Sequence, residues 1–180
     1  MLNTTQLQTL KAYIAADPVL SLEPMNGDGD YNIAKALNQI VAPAFQVWSS
    51  NVRTQDIFDT IIWANLTPAQ TVDGTQAWLN RTMLCQSKQF NLQTILTGRE
   101  TIDATKVSIR NGIQDALTGL PSKTDGTTQG AGWAAVQLIL QRTATVAEKI
   151  FATGTGTTAS PATVVITNIS SGDVNSARNS

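Results

Sequence analysis

Residues 152–180 read ATGTGTTASPATVVITNISSGDVNSARNS, and they differ in character from the rest of the chain. Gly154, Gly156 and Pro161 disfavour a helix, and the many threonines lose rotamer freedom in one. The run TVVIT at 163–167 favours an extended strand instead. This segment has too little apolar surface to fold alone, but its backbone can add to a neighbour's sheet or lie in a neighbour's groove. We therefore predict a strand-competent arm that docks on a partner.

The residues before this arm have the periodicity of amphipathic helices. Asn3 or Thr4 can cap a first helix, and Asp30 is predicted to cap a second. The clearest local signal is Thr67-Pro68-Ala69-Gln70, a capping box with proline at the first helical position. Later helices are predicted over 67–98, 100–117 and 133–151, with a loop at 122–132.

These patterns predict an all-α fold, a helical bundle with an extended C-terminal arm. The helical body covers 1–152 and the docking arm covers 153–180. We expect the arm to be mobile until a partner orders it, because an extended segment without a core of its own pays the full ordering entropy. The arm residues expected to be buried against the partner are Val164, Val165, Ile166 and Ile169. The residues expected to be buried in the body are Leu10, Leu37, Ile61, Leu79, Ile113, Val136 and Ile150.

The composition is poor in charge. Charged residues make up 14% of the chain, against roughly 25% in a typical soluble protein. A surface of neutral hydrogen-bonding groups is cheap to desolvate, which favours subunit contacts, although a soluble protein with a bland surface fits the same composition. A net charge of −1 argues against nonspecific DNA wrapping. No apolar run approaches the roughly 20 residues that span a bilayer, and the N-terminus does not resemble a signal peptide, so we expect a cytosolic product without a membrane partner.

Catalytic chemistry finds little support in the sequence. The chain has no histidine, which removes the commonest general base and metal ligand. The acids are scattered; Glu100 and Asp103, one predicted helical turn apart, are interpreted as a solvated helix start. The segment 26–30 has alternating oxygen ligands but lacks the glycine and glutamate of a calcium loop, and Cys85 is interpreted as a core residue. We therefore expect no enzyme activity, no metal and no cofactor.

Two further groups of residues admit two interpretations each. Lys106 and Arg110 lie four residues apart and form either a solvated helix face or part of a channel that contacts phosphates. The four tryptophans are interpreted as core and interface anchors rather than as a platform for stacking bases, because no basic groove surrounds them. They are Trp48, Trp63, Trp78 and Trp133.

Three segments carry a family resemblance. GRETIDATKVSIRNGIQDAL at 98–117, GAGWAAV at 130–136 and EKIFATGTG at 148–156 resemble virion proteins of tailed bacteriophages, the head-to-tail adaptors that form a ring beneath the portal. The resemblance covers about the last half of the chain. It implies a ring in the virion neck, usually twelvefold, made from subunits produced in the host cytoplasm. It also implies three partners, namely the portal protein, neighbouring adaptor subunits and a tail or nozzle protein, with DNA passing through the ring without specific binding.

Two other classes compete with the adaptor. A different virion component, such as a tail-completion, minor capsid or scaffolding protein, would share the helical body and the arm. A carboxylate-dependent enzyme is the remote alternative, and it would need two acids with raised pKa values in one deep pocket.

Overall fold

A computed structural model describes residues 1–67, 76–121 and 127–180, and the side chains of all of these except 76–78. The described residues form two compact units, one made of Met1–Trp48 and Arg142–Ser180 and the other of Ser49–Gln141. This division differs from the expected one into a body at 1–152 and an arm at 153–180, because residues 153–180 belong to the same unit as the N-terminus.

The prediction of an all-α fold is wrong. Among the described residues, 54% are helical and 12% lie in strands, which form three small antiparallel sheets. Each strand is two or three residues long, too short to show a period of two in the sequence, and the strands of two of the three sheets have partners about 50 or more residues away along the chain. The helices are α1 (Thr4–Ala16), α2 (Gly27–Leu37), α3 (Thr54–Thr60), α4 (Trp63–Leu66), α5 (Gln76–Leu96), α6 (Val107–Leu117), α7 (Trp133–Ile139), α8 (Val146–Phe151) and α9 (Ser171–Arg178), with a 3-10 turn at Leu20–Leu22. The strands are β1 (Gln46–Trp48), β2 (Val52–Arg53), β3 (Thr101–Ile102), β4 (Leu120–Pro121), β5 (Thr128–Gln129) and β6 (Gln141–Thr143), paired β1 with β6, β2 with β3 and β4 with β5.

Helix α1 confirms the predicted first helix. The side chain of Asn3 accepts a hydrogen bond from the backbone N–H of Gln6, whose own side chain accepts one from the N–H of Asn3, so a capping box begins the helix. The second helix begins earlier than predicted, because Asn26 rather than Asp30 is its cap. The Asn26 side chain accepts a hydrogen bond from Gly29 N at 2.9 Å, and Asp30 is buried one turn inside α2.

The C-terminal segment is not an extended arm. It ends in helix α9. This helix begins with a capping box, in which the side chains of Ser170 and Asp173 each accept a hydrogen bond from the backbone N–H of the other residue. Val174 and Ala177 of α9 are buried in one core with Leu10 and Ile33. An eight-residue helix is marginal alone, so α9 owes its stability to this packing against α1 and α2.

Two of the later predicted helices have different bounds in the structure. Helix α5 ends as predicted, with Gly98 at φ +76, whereas residues 68–70 of the predicted capping box and 122–126 of the predicted loop lie outside the described residues. The helix over 100–117 begins only at Val107, because Asp103 accepts hydrogen bonds from the N–H and hydroxyl of Thr105 and holds a turn. The helix over 133–151 is two helices separated by β6, the second beginning with a capping box between Thr145 and Glu148.

Most of the expected body core is confirmed. Ile150 is half-buried, and Leu79 is exposed, so the prediction for Leu79 is wrong. Its helix packs through a different face, which carries Cys85, Leu92 and Leu96. The confirmed buried residues are Leu10, Leu37, Ile61, Ile113 and Val136.

Candidate subunit interface

Helix α5 turns its charged side chains inward. Arg81 and Lys88 are only 7% and 9% exposed, although they lie on a helix with no other charged residue. The Lys88 ammonium donates to the backbone carbonyl of Asp115 at 2.5 Å and lies 3.3 Å from its carboxylate. Arg81 Nε donates to the carbonyl of Pro121 at 3.2 Å. The two charged side chains on the inner face of α5 therefore donate to acceptors from the same unit.

The opposite face of α5 is apolar. At about 100° per residue, Leu79, Met83 and Phe90 fall within about 40° of one another. Met83 and Phe90 are 67% and 68% exposed, and Leu79 and Leu84 are exposed to a lesser degree. Leu79, Met83 and Phe90 are called the outer face of α5 from here on. The exposed side chains between them are neutral, namely Gln86, Ser87, Gln93 and Thr94.

This arrangement differs from an ordinary surface helix, which exposes charged side chains and buries apolar ones, because α5 buries both of its charged side chains and exposes large apolar ones. Contiguous apolar side chains exposed on a soluble protein mark a site where another surface covers them. The absence of charge on the outer face lowers the desolvation cost of covering it. Helical periodicity did not reveal this surface, because it predicted that Leu79 is buried in the body.

The predicted arm residues do not share one surface. Ile169 is buried in the core of its own unit, and Val164 and Ile166 are half-buried against that unit. Val165 is 71% exposed and the chain bends there. The contact of these four residues with a partner stays a prediction, and the structure presents only Val165 freely for it.

Lys106 and Arg110 support the turn before α6. Arg110 donates to the carbonyls of Ala104 and Thr105 at 2.6 and 2.8 Å, and the Lys106 ammonium lies 3.9 Å from the Asp103 carboxylate. Desolvation lowers the pKa of Arg110, and the nearby Asp103 charge offsets part of that effect. Both side chains thus stabilise a local turn, and their exposure to a channel stays a prediction.

The other residues singled out in the sequence have structural surroundings. Trp63 stacks on Phe58 with the ring centroids 5.6 Å apart and donates its indole N–H to the Phe58 carbonyl. Trp48 and Trp133 are half-buried, and the side chain of Trp78 lies outside the described residues. Cys85 is buried, as predicted. Within the described ranges, no group of three or more acidic or cysteine side chains could hold a metal ion, and no helix is long and apolar enough to span a bilayer.

Two buried carboxylates in the unit of Met1–Trp48 and Arg142–Ser180 have structural partners. Burial alone would raise the pKa of Glu148, but hydrogen bonds from Arg142 and Thr145 outweigh it and hold that pKa below its ordinary value. Asp30 is bound to Arg178 of α9 at 2.8 Å, with both side chains buried. Both carboxylates therefore hold secondary-structure elements of this unit together.

Comparison with protein families, with curated proteins and with solved structures finds no match to this chain.

Proposed function

We propose that this chain is a structural virion protein, a head-to-tail adaptor whose copies form a ring between the portal and the tail. The observation that carries the proposal is the outer face of α5. A helix that buries Arg81 and Lys88 while exposing Met83 and Phe90 is suited to be covered by another subunit. A ring of identical subunits supplies such a cover for every copy, because each subunit meets a neighbour on both sides.

Covering this surface favours assembly. Complete burial of a side chain the size of Met83 or Phe90 contributes about 1.5 to 3 kcal/mol. Neutral neighbours such as Gln86 and Gln93 can form hydrogen bonds across the contact without the cost of burying a charge. The interface therefore needs no ion pairs to hold it, and its strength should depend little on salt.

The assignment to the virion neck is supported by the resemblance of 98–117, 130–136 and 148–156 to head-to-tail adaptors. The portal protein, neighbouring adaptor subunits and a tail or nozzle protein are the partners proposed on that basis. The roles found for the buried ionisable side chains are consistent with a structural protein: Glu148 and Asp30 fix elements of one unit, and Lys88 fixes α5.

The test of the interface is Phe90→Glu, with Leu138→Glu as the matched control. Leu138 is also an exposed apolar residue on a helix of the Ser49–Gln141 unit. We expect Phe90→Glu to remain folded but to lose the ring-sized oligomer in light scattering, while Leu138→Glu keeps it. Oligomers of the same mass in both variants would contradict the proposal that α5 forms the interface.

The assignment to the neck is tested in the particle. A reconstruction of the neck should show the chain as a closed ring between portal and tail. Copies distributed over the capsid shell would instead identify a minor capsid protein, and presence in immature particles with loss from mature ones would identify a scaffolding protein.

A further inference from the structure

The C-terminal helix α9 is fixed to its unit by a buried polar contact. Arg178 donates from Nη1 to Asp30 Oδ1 at 2.8 Å, and Asn175 donates to Asp30 Oδ2 at 2.9 Å. The Arg178 guanidinium also donates to the carbonyls of Pro24 and Glu23. The Asp30 carboxylate is thus bound through both oxygens, and the groove between α1 and α2 is specific for the sequence of α9.

The apolar part of this contact is equally complete. Val174 and Ala177 enter the core beside Leu10 and Ile33, and Ile169 closes it just before the helix begins. The side-chain amide of Asn38 donates to the Ile169 carbonyl at 2.8 Å and its oxygen accepts the Ile169 N–H at 3.1 Å. The segment from Ile169 to Arg178 therefore docks as one block.

A short tether joins this block to the rest of the chain. Upstream, Ala162 is hydrogen-bonded to Gln46 and Trp48, and Thr163 forms a reciprocal backbone pair with Thr153. Between these anchors and Ile169, the backbone groups of 164–168 form no hydrogen bond to any part of the chain that the structure describes. Redirecting the tether therefore breaks no hydrogen bond, and only the partial packing of Val164 and Ile166 is lost.

We propose that α9 docks in trans, in the α1–α2 groove of a second copy of this chain, whose own α9 fills the groove left open. Asp30 and Arg178 determine what the groove binds. Each groove holds the buried Asp30 carboxylate, which needs a guanidinium at the position of Arg178. A second copy of the chain supplies this guanidinium with its own segment from Ile169 to Arg178. The contact is the same in cis and in trans, so its energy cancels and exchange costs little beyond association. Thr163 and Ile169 are six residues apart, so the tether spans at most about 20 Å.

The exchange goes beyond the adaptor function, since it needs neither portal nor tail. It also gives the C-terminal segment a partner without requiring an extended arm. Reciprocal exchange makes a pair, and exchange in one direction links successive subunits around a ring.

The test reverses the two charges separately, in the Phe90→Glu background so that contacts through α5 do not contribute. In Asp30→Arg two arginines face each other in cis, and in Arg178→Asp two carboxylates do. When the two variants are mixed, exchange in trans restores one opposite-charge pair in each groove. We expect each variant alone to stay monomeric and the equimolar mixture to form a mixed species of twice the monomer mass in native mass spectrometry. The double variant, Asp30→Arg with Arg178→Asp, shows that the reversed pair is tolerated.

A mixture that stays monomeric, together with a double variant as stable as its parent, would overturn the proposal. A second measurement does not depend on the reversed pair. Gln8 and Ser180 are exposed and their side chains lie 3.3 Å apart across the α1–α9 contact. In Gln8→Lys with Ser180→Glu, a zero-length amine-to-carboxyl cross-linker should join the two sites. An equimolar mixture of light and isotopically heavy protein should give light-to-heavy cross-linked peptides if α9 exchanges, and none if it docks only in cis.

Discussion

Arg142 and Glu148 form a bidentate ion pair within one unit, with Nη1 2.7 Å from Oε2 and Nη2 2.5 Å from Oε1. Oε2 also accepts the backbone N–H of Thr145 at 2.9 Å, so one carboxylate joins β6 to the start of α8. The Glu148 side chain is almost completely buried while Arg142 is partly exposed. The pair therefore fixes the angle between two elements that the sequence had suggested were one continuous helix.

Glu148→Gln should destabilise the protein by about 2 kcal/mol, because the substitution leaves the Arg142 guanidinium without its charged acceptor. Urea unfolding followed by circular dichroism measures the change in the free energy of unfolding. Asp56→Asn is the control, since Asp56 pairs with Arg53 at 3.8 Å on the surface and should change stability by less than about 0.5 kcal/mol. Equal effects for both variants would show that the Arg142 pair contributes no more than a surface contact.

The lowered pKa of Glu148 predicts how the free energy of unfolding depends on pH. Glu148 and Asp173 both have pKa values below their ordinary values of 4.5 and 3.8, despite burial, because hydrogen bonds favour their charged forms. A carboxyl group whose pKa is lowered by folding stabilises the protein above its ordinary pKa, and this contribution is lost as the pH falls through the lowered value. The urea concentration at the unfolding midpoint should therefore decrease as the pH is lowered below about 4.5. It should decrease less for Glu148→Gln. A midpoint that rose in this range would contradict the assignment.

Gly156→Ala should cost more stability than Gly119→Ala. The two glycines have nearly the same backbone conformation, with φ of +65 and +64, so the conformational penalty of about 1 kcal/mol is matched. A Cβ at Gly156 would overlap the ring of Phe45, whereas one at Gly119 would meet open space. The difference between the two free energies of unfolding thus measures packing alone. Equal losses would show that Phe45 moves aside without cost.

Deletion of 170–180 should destabilise the unit that contains α9 by more than about 4 kcal/mol. The deletion exposes the core around Ile33 and removes the Asn175 and Arg178 side chains that bind Asp30. This expectation replaces that of a C-terminal segment that is mobile and separable from a folded body. Hydrogen exchange of α1 and α2 amides measures the loss, and removal of Asn179 and Ser180 alone serves as the control, because both are exposed. Unchanged protection of α2 after deletion of 170–180 would show that α9 contributes little to the core.

Several elements followed from local sequence because the interactions that make them are local. The cap of α1, predicted at Asn3 or Thr4, and the helix end at Gly98 involve residues within one turn of each other. Another signal of the same kind was overlooked: Ser170 and Asp173 have the spacing of a capping box, and Val174 and Ala177 follow at helical spacing. That pattern was sufficient to predict α9, although it did not show where α9 docks.

What the sequence determined by itself was mostly the helices, their caps and which side chains are apolar, since these depend on neighbours within about four residues. Tertiary structure alone decided which apolar face is covered. Phe90 and Leu92 are both apolar and lie on one helix, yet only Leu92 is buried, because Arg81 and Lys88 find carbonyl acceptors on the side where Leu92 lies. The same holds for Arg178 and Asp30, which are 148 residues apart and meet only when α9 folds back onto α2. Such pairs leave no periodic trace in a sequence, because their spacing is set by the path of the whole chain.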